Sequence, residues 1–287
     1  MTIAVNTASR LELEGINLPS DLLNQTIETL TAHESIRGFL PKPLSEGVLE
    51  AIITAARSAP TSSNLQAYSI IIVKDEQRKD KLATLSGNQN FIREAPVFLL
   101  FCADIYRLKY VTARQGHKFA AETLEMFLLA AVDASLALQN ALVAAESLGL
   151  VSCPVGSIRN NPKVVAEELT LPKGVFVVSG LAIGFEREGM RRGVKPRLPE
   201  QVTVHKETYS TKVLDEKLAE YDQTMISRRT YDGRRVSLAG EPEKKGVEYG
   251  WCEHTARRCT RPETIAVSAS LRMNLKQVLE ELGFSLQ

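Results

Sequence analysis

The chain has 287 residues, 44% of them hydrophobic and 24% charged, with a formal net charge of +1. That is ordinary composition for a soluble globular protein, long enough for one large domain or two modest ones. So balanced a charge supplies no bulk field for nucleic acid or a membrane surface, and any basic function has to be local.

The first twenty residues read as a polar extension, and MTIAVNTASRLELEG carries acids too early to be a signal peptide. Ser20 is the expected N-cap of a helix running through Leu30, and Ser45 caps a second with Leu49, Ile52, Ile53 and Ala56 on one face. RSAPTSSNLQ ends that helix, and YSIIIVKD reads as a buried strand. Asp75 caps a charged helix to about Leu85, the loop SGNQNF follows, and PVFLLFCAD is a second buried strand. From about 120 to 150 the chain is strongly apolar but interrupted by Glu122, Glu125, Asp133 and Glu146. Its longest uncharged run is too short for a bilayer, so it reads as a helix buried on most sides. VSCPVGS, a short helix opening at Pro162, and the strand VFVVSGLAIGF complete the apolar part. Beyond Pro199 the chain turns polar and basic. A helix over about 214–226 has Leu214, Leu218, Tyr221 and Met225 on one face, and another runs from Pro262 to near Leu282. Between them SRRTYDGRRVSLAGEPEKKG reads as a mobile loop. The strands and helices imply α+β or α/β layering around one sheet.

Four short segments carry candidate chemistry. His33-Glu34-Ser35-Ile36-Arg37 offers a hydroxyl and a rigid guanidinium fork suited to phosphate or a carbonyl edge, although a polar helix-exit turn has the same composition. Pro60-Thr61-Ser62-Ser63-Asn64-Leu65-Gln66 could meet a sugar or phosphate, or satisfy its own backbone. In Cys153-Pro154-Val155-Gly156-Ser157 the glycine would admit a flat ligand close to the backbone, and an ordinary turn fits as well. Lys195-Pro196-Arg197 points two cations one way if extended, as a solvated basic loop also can. Cys252, His254 and Cys259 match no common zinc spacing, so no metal is expected. The four cysteines form no CxxC pair, which fits a reducing, cytoplasmic setting. GxGxxG, Walker, HExxH and GxSxG motifs are absent from the sequence. A nicotinamide cofactor would therefore bind transiently rather than in a Rossmann cleft.

Taken in order, His33-x-Ser35-x-Arg37, Pro60-Thr61-Ser62-Ser63-Asn64-x-Gln66, Gly87-Asn88-Gln89, Pro154-Val155-Gly156 and Lys195-Pro196-Arg197 resemble the nitroreductase family. ALVAAESLGL at 141–150, VKPRLP at 194–199, Val204-His205 and Tyr209 are similar to its oxygen-insensitive NADPH nitroreductase and NADPH–flavin oxidoreductase branch. The resemblance spans roughly residues 20 to 287. It implies an α+β fold with a central mixed sheet flanked by helices, and a homodimer with the long buried helix at its interface. After the polar extension at 1–20, it implies an FMN-binding core at 21–200 and a C-terminal extension at 201–287 carrying an NADPH loop and dimer-wrapping helices.

By the same resemblance His33, Ser35, Lys195 and Arg197 hold the FMN phosphate, and Arg37 and Gln89 face the pyrimidine edge. Thr61, Ser62 and Ser63, with Gln66, touch the ribityl chain and ring. Gly156 and Ser157, following Pro154 and Val155, donate backbone N–H groups to the hydride-accepting nitrogen and its neighbouring carbonyl. Glu34 departs from the arginine often found there; a carboxylate near a phosphate is repulsive, so its side chain is expected to point away. Arg228, Arg229 and Arg234 are expected to read the NADPH 2′-phosphate. No acid–base dyad is required, since the cofactor carries the hydride, and Arg37 and Gly156 would tune the flavin. The implied activity is NADPH-dependent reduction of small-molecule acceptors: nitroaromatics, quinones, azo compounds or free flavins. The alternatives are a dedicated FMN reductase serving a partner, and a slow-turnover flavin-binding redox protein.

Overall fold

The computed structural model describes residues 9–191, 193–233, 235–237, 248–260 and 274–286. Arg234 and most of the helix expected from Pro262 lie outside the described residues. The chain divides into two units, Met1–Val194 with Ser270–Gln287, and Lys195–Ala269.

The first unit opens with α1 (Arg10–Glu14), α2 (Gln25–Thr31) and α3 (Glu46–Arg57). α2 begins five residues after the expected cap at Ser20. Asn24 takes that role instead, its Oδ1 accepting from Thr26 and Ile27 N–H at 3.1 and 3.2 Å, and so satisfying two otherwise unpaired donors. Ser45 caps α3 as expected, accepting from Val48 N–H at 3.4 Å. Then come β1 (Tyr68–Val73), α4 (Glu76–Leu85), α5 (Asn90–Glu94), β2 (Val97–Asp104), α6 (Tyr106–Arg114) and α7 (Leu124–Ser147). β3 (Val151–Val155), α8 (Pro162–Glu168) and β4 (Val175–Gly184) follow.

The strands are ordered β1-β2-β4-β3 with every ladder antiparallel. A parallel element enters through a single bridge, Ser35 to Ser152. β2 is buried at all eight positions because it feeds a core on each face. Phe98, Leu100 and Cys102 point into one cluster, with Leu82, Ile92 and Val165. Val97, Leu99 and Phe101 point into the other, with α3 and α7. β1 departs from its expected burial. It lies at an edge of the sheet, and Ile72 is exposed.

α7 packs on α3 and the sheet through alanines: Ala130, Ala134, Ala137, Ala141 and Ala145 are all fully buried. The small side chains allow close approach, and Asn140 Nδ2 reaches Ala55 O on α3 at 3.1 Å. Burial is one-sided, however: Leu124, Leu128, Val132 and Leu136 are exposed at a four-residue spacing. α7 is the one described helix long and apolar enough to cross a membrane, and its alanine face is packed into the core.

The second unit contains α9 (Glu200–Thr203), α10 (Leu214–Ser227) and α11 (Trp251–Thr260). Tyr221 and Met225 of α10 are buried as expected. α11, not foreseen from sequence, is capped by Asp222, whose Oδ1 accepts from Cys252 N–H at 2.7 Å. Back in the first unit, α12 (Leu275–Glu281) and the residues after it place Leu279 and Phe284 in a cluster with Phe127 and Phe176.

Candidate functional site

Residues 33–37 are laid along β3 by main-chain bonding: Ile36 N–H donates to Ser152 O at 3.0 Å. That register places His33 beside the end of α7. His33 Nδ1 lies 2.8 Å from Glu146 Oε1, and Nε2 lies 3.2 Å from Ser35 Oγ. A carboxylate can only accept, so the proton sits on Nδ1 and the ring is held with Nε2 toward Ser35. Ser152 Oγ donates to the same Glu146 oxygen at 2.8 Å. The result is a chain from carboxylate to imidazole to hydroxyl, with His33 and Glu146 side chains 23% and 12% exposed. Glu34 turns to Arg191, its Oε1 3.6 Å from the guanidinium.

Arg37 is exposed, its guanidinium carbon 5.9 Å from the centre of the Phe91 ring on α5. Gln89 immediately precedes that helix, its N–H on Ala83 O at 3.1 Å, so Arg37 and Gln89 are brought to the same helix start. The backbone reaches Gln89 through Gly87 and Asn88, at φ 82° and 58°. A Cβ on Gly87 would stand 3.4 Å from Asn160 Nδ2, and Asn161 Nδ2 donates to Leu85 O at 2.9 Å. The 87–89 loop therefore abuts the turn that begins at Gly156 and Ser157, directly after Pro154 and Val155 of β3. Behind that turn Arg159 donates to Val178 O. Val178 is the extra residue of a bulge in β4, opposite the register shift between Phe101 and Cys102. Burial holds the Arg159 guanidinium below its usual range.

Residues 61–67 link α3 to β1 in an unusual backbone conformation. Ser63, Asn64 and Gln66 all have positive φ, at 48°, 55° and 50°. Asp133 of α7, 1% exposed, accepts from Ser62 N–H at 3.0 Å and Ala67 N–H at 3.1 Å. From the other side Arg107 donates to Gln66 O at 3.3 Å and Tyr68 O at 2.8 Å. The hydroxyls of Thr61, Ser62 and Ser63 thus sit on a backbone fixed from two sides. Glu146, Ser152, Asp133 and Arg107 were not singled out from sequence as site residues. The available signal was that Asp133 and Glu146 interrupt an otherwise apolar helix.

In the second unit Lys195 and Arg197 are exposed on either side of Pro196, whose carbonyl accepts from the Tyr221 hydroxyl at 3.2 Å. The segment expected as a mobile loop after α10 forms turns over residues 228–233, and residues 234 and 238–246 of it lie outside the described residues. Arg229 (φ 51°) donates to Asp232 at 2.6 Å, and Tyr231 stacks on His254 with ring centres 4.3 Å apart. Val236 N–H donates to the Tyr249 hydroxyl at 2.9 Å. Burial, reinforced by Tyr221 and Asp222, pushes the Tyr231 hydroxyl up to about 12. Arg228 is half-buried and Arg229 exposed. Cys252 and His254 are engaged by Leu218 O and the Tyr249 hydroxyl, and no metal-ligating cluster occurs among the described residues.

The structure brings Arg37 and Gln89 to one helix start beside the 156–157 turn, and it holds the 61–66 hydroxyl loop separately on Asp133; the donor groups of these segments are one-sided in their chemistry. Hydroxyls, an imidazole, a guanidinium and a side-chain amide suit an acceptor-rich, anionic ligand. A sequence model described as "Nitroreductase family" matches residues 30–185, and its C-terminal-domain counterpart matches 195–287. The chain is 44% identical over 215 residues to the FMN reductase [NAD(P)H] of Bacillus subtilis, covering 72% of this chain and 85% of that protein. It is 42% identical over 204 residues to the oxygen-insensitive NADPH nitroreductase of Salmonella typhimurium, covering 71% and 82%. Among solved structures, the NADPH:FMN oxidoreductase of Vibrio harveyi complexed with NAD+ aligns with a TM-score of 0.76 and 32% identity, covering 91% and 98%. The NfrA1 nitroreductase of B. subtilis aligns with a TM-score of 0.78 and 34% identity, covering 90% and 98%.

Proposed function

The chain belongs to the nitroreductase family, and on that premise we propose that it is an FMN-dependent oxidoreductase that passes electrons from NADPH to small-molecule acceptors. The observation that carries this reading is the donor set of the first unit, matched in kind to the parts of FMN. His33 and Ser35, the former held by Glu146, suit the phosphate. The Thr61–Ser63 hydroxyls with Gln66 suit the ribityl chain and ring. Arg37 and Gln89 suit the pyrimidine edge, and the turn at Gly156 and Ser157 suits the ring's hydrogen-bonding edge. For Lys195 and Arg197 the phosphate role rests on their sequence match alone.

When bound, FMN supplies the hydride chemistry; these residues bind, orient and electrostatically tune it. At the pyrimidine edge the Arg37 guanidinium would stabilise the negative charge that a reduced flavin carries there. Arg228, Arg229 and Arg234 are proposed to read the 2′-phosphate of NADPH. The acceptors proposed are nitroaromatics, quinones, azo compounds and free flavins; the names of the curated relatives span FMN reductase and nitroreductase.

We also propose a cytoplasmic homodimer. Leu124, Leu128, Val132 and Leu136 form an exposed apolar stripe on α7 that a second copy of the helix would cover.

The test is the yellow chromophore itself. Heat release followed by chromatography should give FMN, and NADPH oxidation should accelerate on adding a quinone. FAD, or no flavin, overturns the reading, and bound FMN without turnover leaves a flavin-binding redox protein. Steady-state kinetics across nitro, quinone, azo and flavin acceptors then ranks the substrates.

A further inference from the structure

We propose that Asp133 is a positioning residue for flavin binding, acting through the backbone of residues 61–67 rather than by touching the ligand. This inference rests on the proposed flavin site. A carboxylate in the middle of an apolar, alanine-packed helix is costly to bury unless its partners compensate it. The helix's own packing would be served better by an apolar side chain. What the charge secures therefore lies in what it holds, and it holds main-chain N–H groups at the two ends of one segment: Ser62 on Oδ1 and Ala67 on Oδ2.

Between those two anchors lie three non-glycine residues in the left-handed region, Ser63, Asn64 and Gln66. Such a run persists only where its surroundings over-determine it. Asp133 fixes its ends from inside, and Arg107 grips the Gln66 and Tyr68 carbonyls from outside. With both ends fixed, the Thr61–Ser63 hydroxyls are presented before any ligand arrives, and binding is spared the ordering of that loop. Without the carboxylate the strained residues can relax to ordinary backbone, and the hydroxyls leave their positions.

The experiment measures dissociation constants of FMN and riboflavin with apoprotein, together with the visible circular dichroism of bound flavin. The loop is proposed to meet ribityl chain and ring, which both ligands share. Asp133→Asn should therefore weaken both by the same factor, about tenfold to a hundredfold, leaving their ratio unchanged. It should also alter the flavin dichroism.

A second variant reaches the same bond without entering the core. Ser62→Pro deletes only the N–H that Asp133 accepts, relative to Ser62→Ala as the reference for the lost hydroxyl. Proline is tolerated there because Ser62 opens a short 3-10 turn and Thr61 before it is extended (φ −132°, ψ 149°). Ser62→Pro should weaken both flavins relative to Ser62→Ala, and the effect should shrink in the Asp133→Asn background because the two changes remove one bond. Should Asp133→Asn fail to fold, the Ser62 pair decides alone. Wild-type affinities in both variants, full additivity, or a loss confined to FMN overturns the proposal. Wild-type protein that binds neither flavin overturns the flavin reading itself, and this inference with it.

Discussion

Replacing Glu146 by glutamine removes a charge while keeping the hydrogen bonds in place. Both bonds to this side chain, from His33 and from Ser152, end on the same oxygen, so one amide oxygen can accept both. What is lost is charge assistance, about 1 kcal/mol per bond as the difference between charged and neutral hydrogen bonds. The His33 side of the pair is 23% exposed and partly screened, which brings the total to about 1–2 kcal/mol. For a chain of this size that lowers Tm by about 2–3 °C. Glu146→Ala should cost about 1–3 kcal/mol more, because it leaves the buried Ser152 hydroxyl without its acceptor. On the ligand side His33 is proposed to meet only the phosphate. Glu146→Gln should therefore weaken FMN about tenfold and leave riboflavin, which has no phosphate, at wild-type affinity. Calorimetric melting and flavin titration of wild type and both variants check this. Equal melting points for the two variants would refute the shared-oxygen argument, and equal loss of FMN and riboflavin would refute the phosphate role of His33.

Arg229→Ala with Arg234→Ala should raise the Michaelis constant for NADPH and leave that for NADH nearly unchanged, with the effect shrinking as salt rises; equal losses would end the specificity assignment. Because Arg229 is paired with Asp232, with side chains 81% and 58% exposed, Asp232→Asn should free it and lower the NADPH constant. Leu128→Asp with Val132→Asp should convert the sedimenting species from dimer to monomer, and an unchanged coefficient would remove α7 from the interface. Cys102 is pushed from 9.0 up to about 12 by burial, with Asp104 adding to it. An acid whose folded pKa is raised contributes stability that is fully present below pH 9 and lost between pH 9 and about 12. Urea unfolding of wild type and Cys102→Ala should thus give a stability difference that is constant below pH 9 and drifts against wild type above it. A difference that does not change with pH would contradict the assignment.

Signals that live in a local pattern are legible in the sequence itself. The caps at Ser45 and Asp75, the continuous burial of β2 and the Pro162 helix start follow from residue type and spacing. Ser20 is a misleading cap because serine is only permissive, and Asn24, four residues on, satisfies two donors rather than one. β1 reads as buried because edge position is a property of pairing and leaves no trace in YSIIIV. Of the site, the residues expected to face a ligand can be named from sequence, while those that hold them cannot. His33 and Glu146 are 113 residues apart and meet only because residues 33–37 pair with β3 next to the end of α7. Asp133 reaches residues 62 and 67 across gaps of 71 and 66 residues. A charge inside an apolar helix marks such a residue, but its partner is chosen by tertiary packing.

The alanine face of α7 acts as a gauge. Five fully buried residues without side-chain freedom set the separation of helix and sheet, and a larger group in a close-packed interior has to push its neighbours apart. Asp133 and Glu146 ride on that same rod, about 20 Å apart at 1.5 Å per residue. A valine or leucine substituted into the face would lift the helix and carry both carboxylates with it, so hydroxyl loop and imidazole would lose their supports in a single displacement. The hydroxyl loop and the imidazole hang on one spacing. Variants selected to accept bulkier acceptors should accordingly gather their substitutions in the loops that α7 holds, and leave the five alanines as they are.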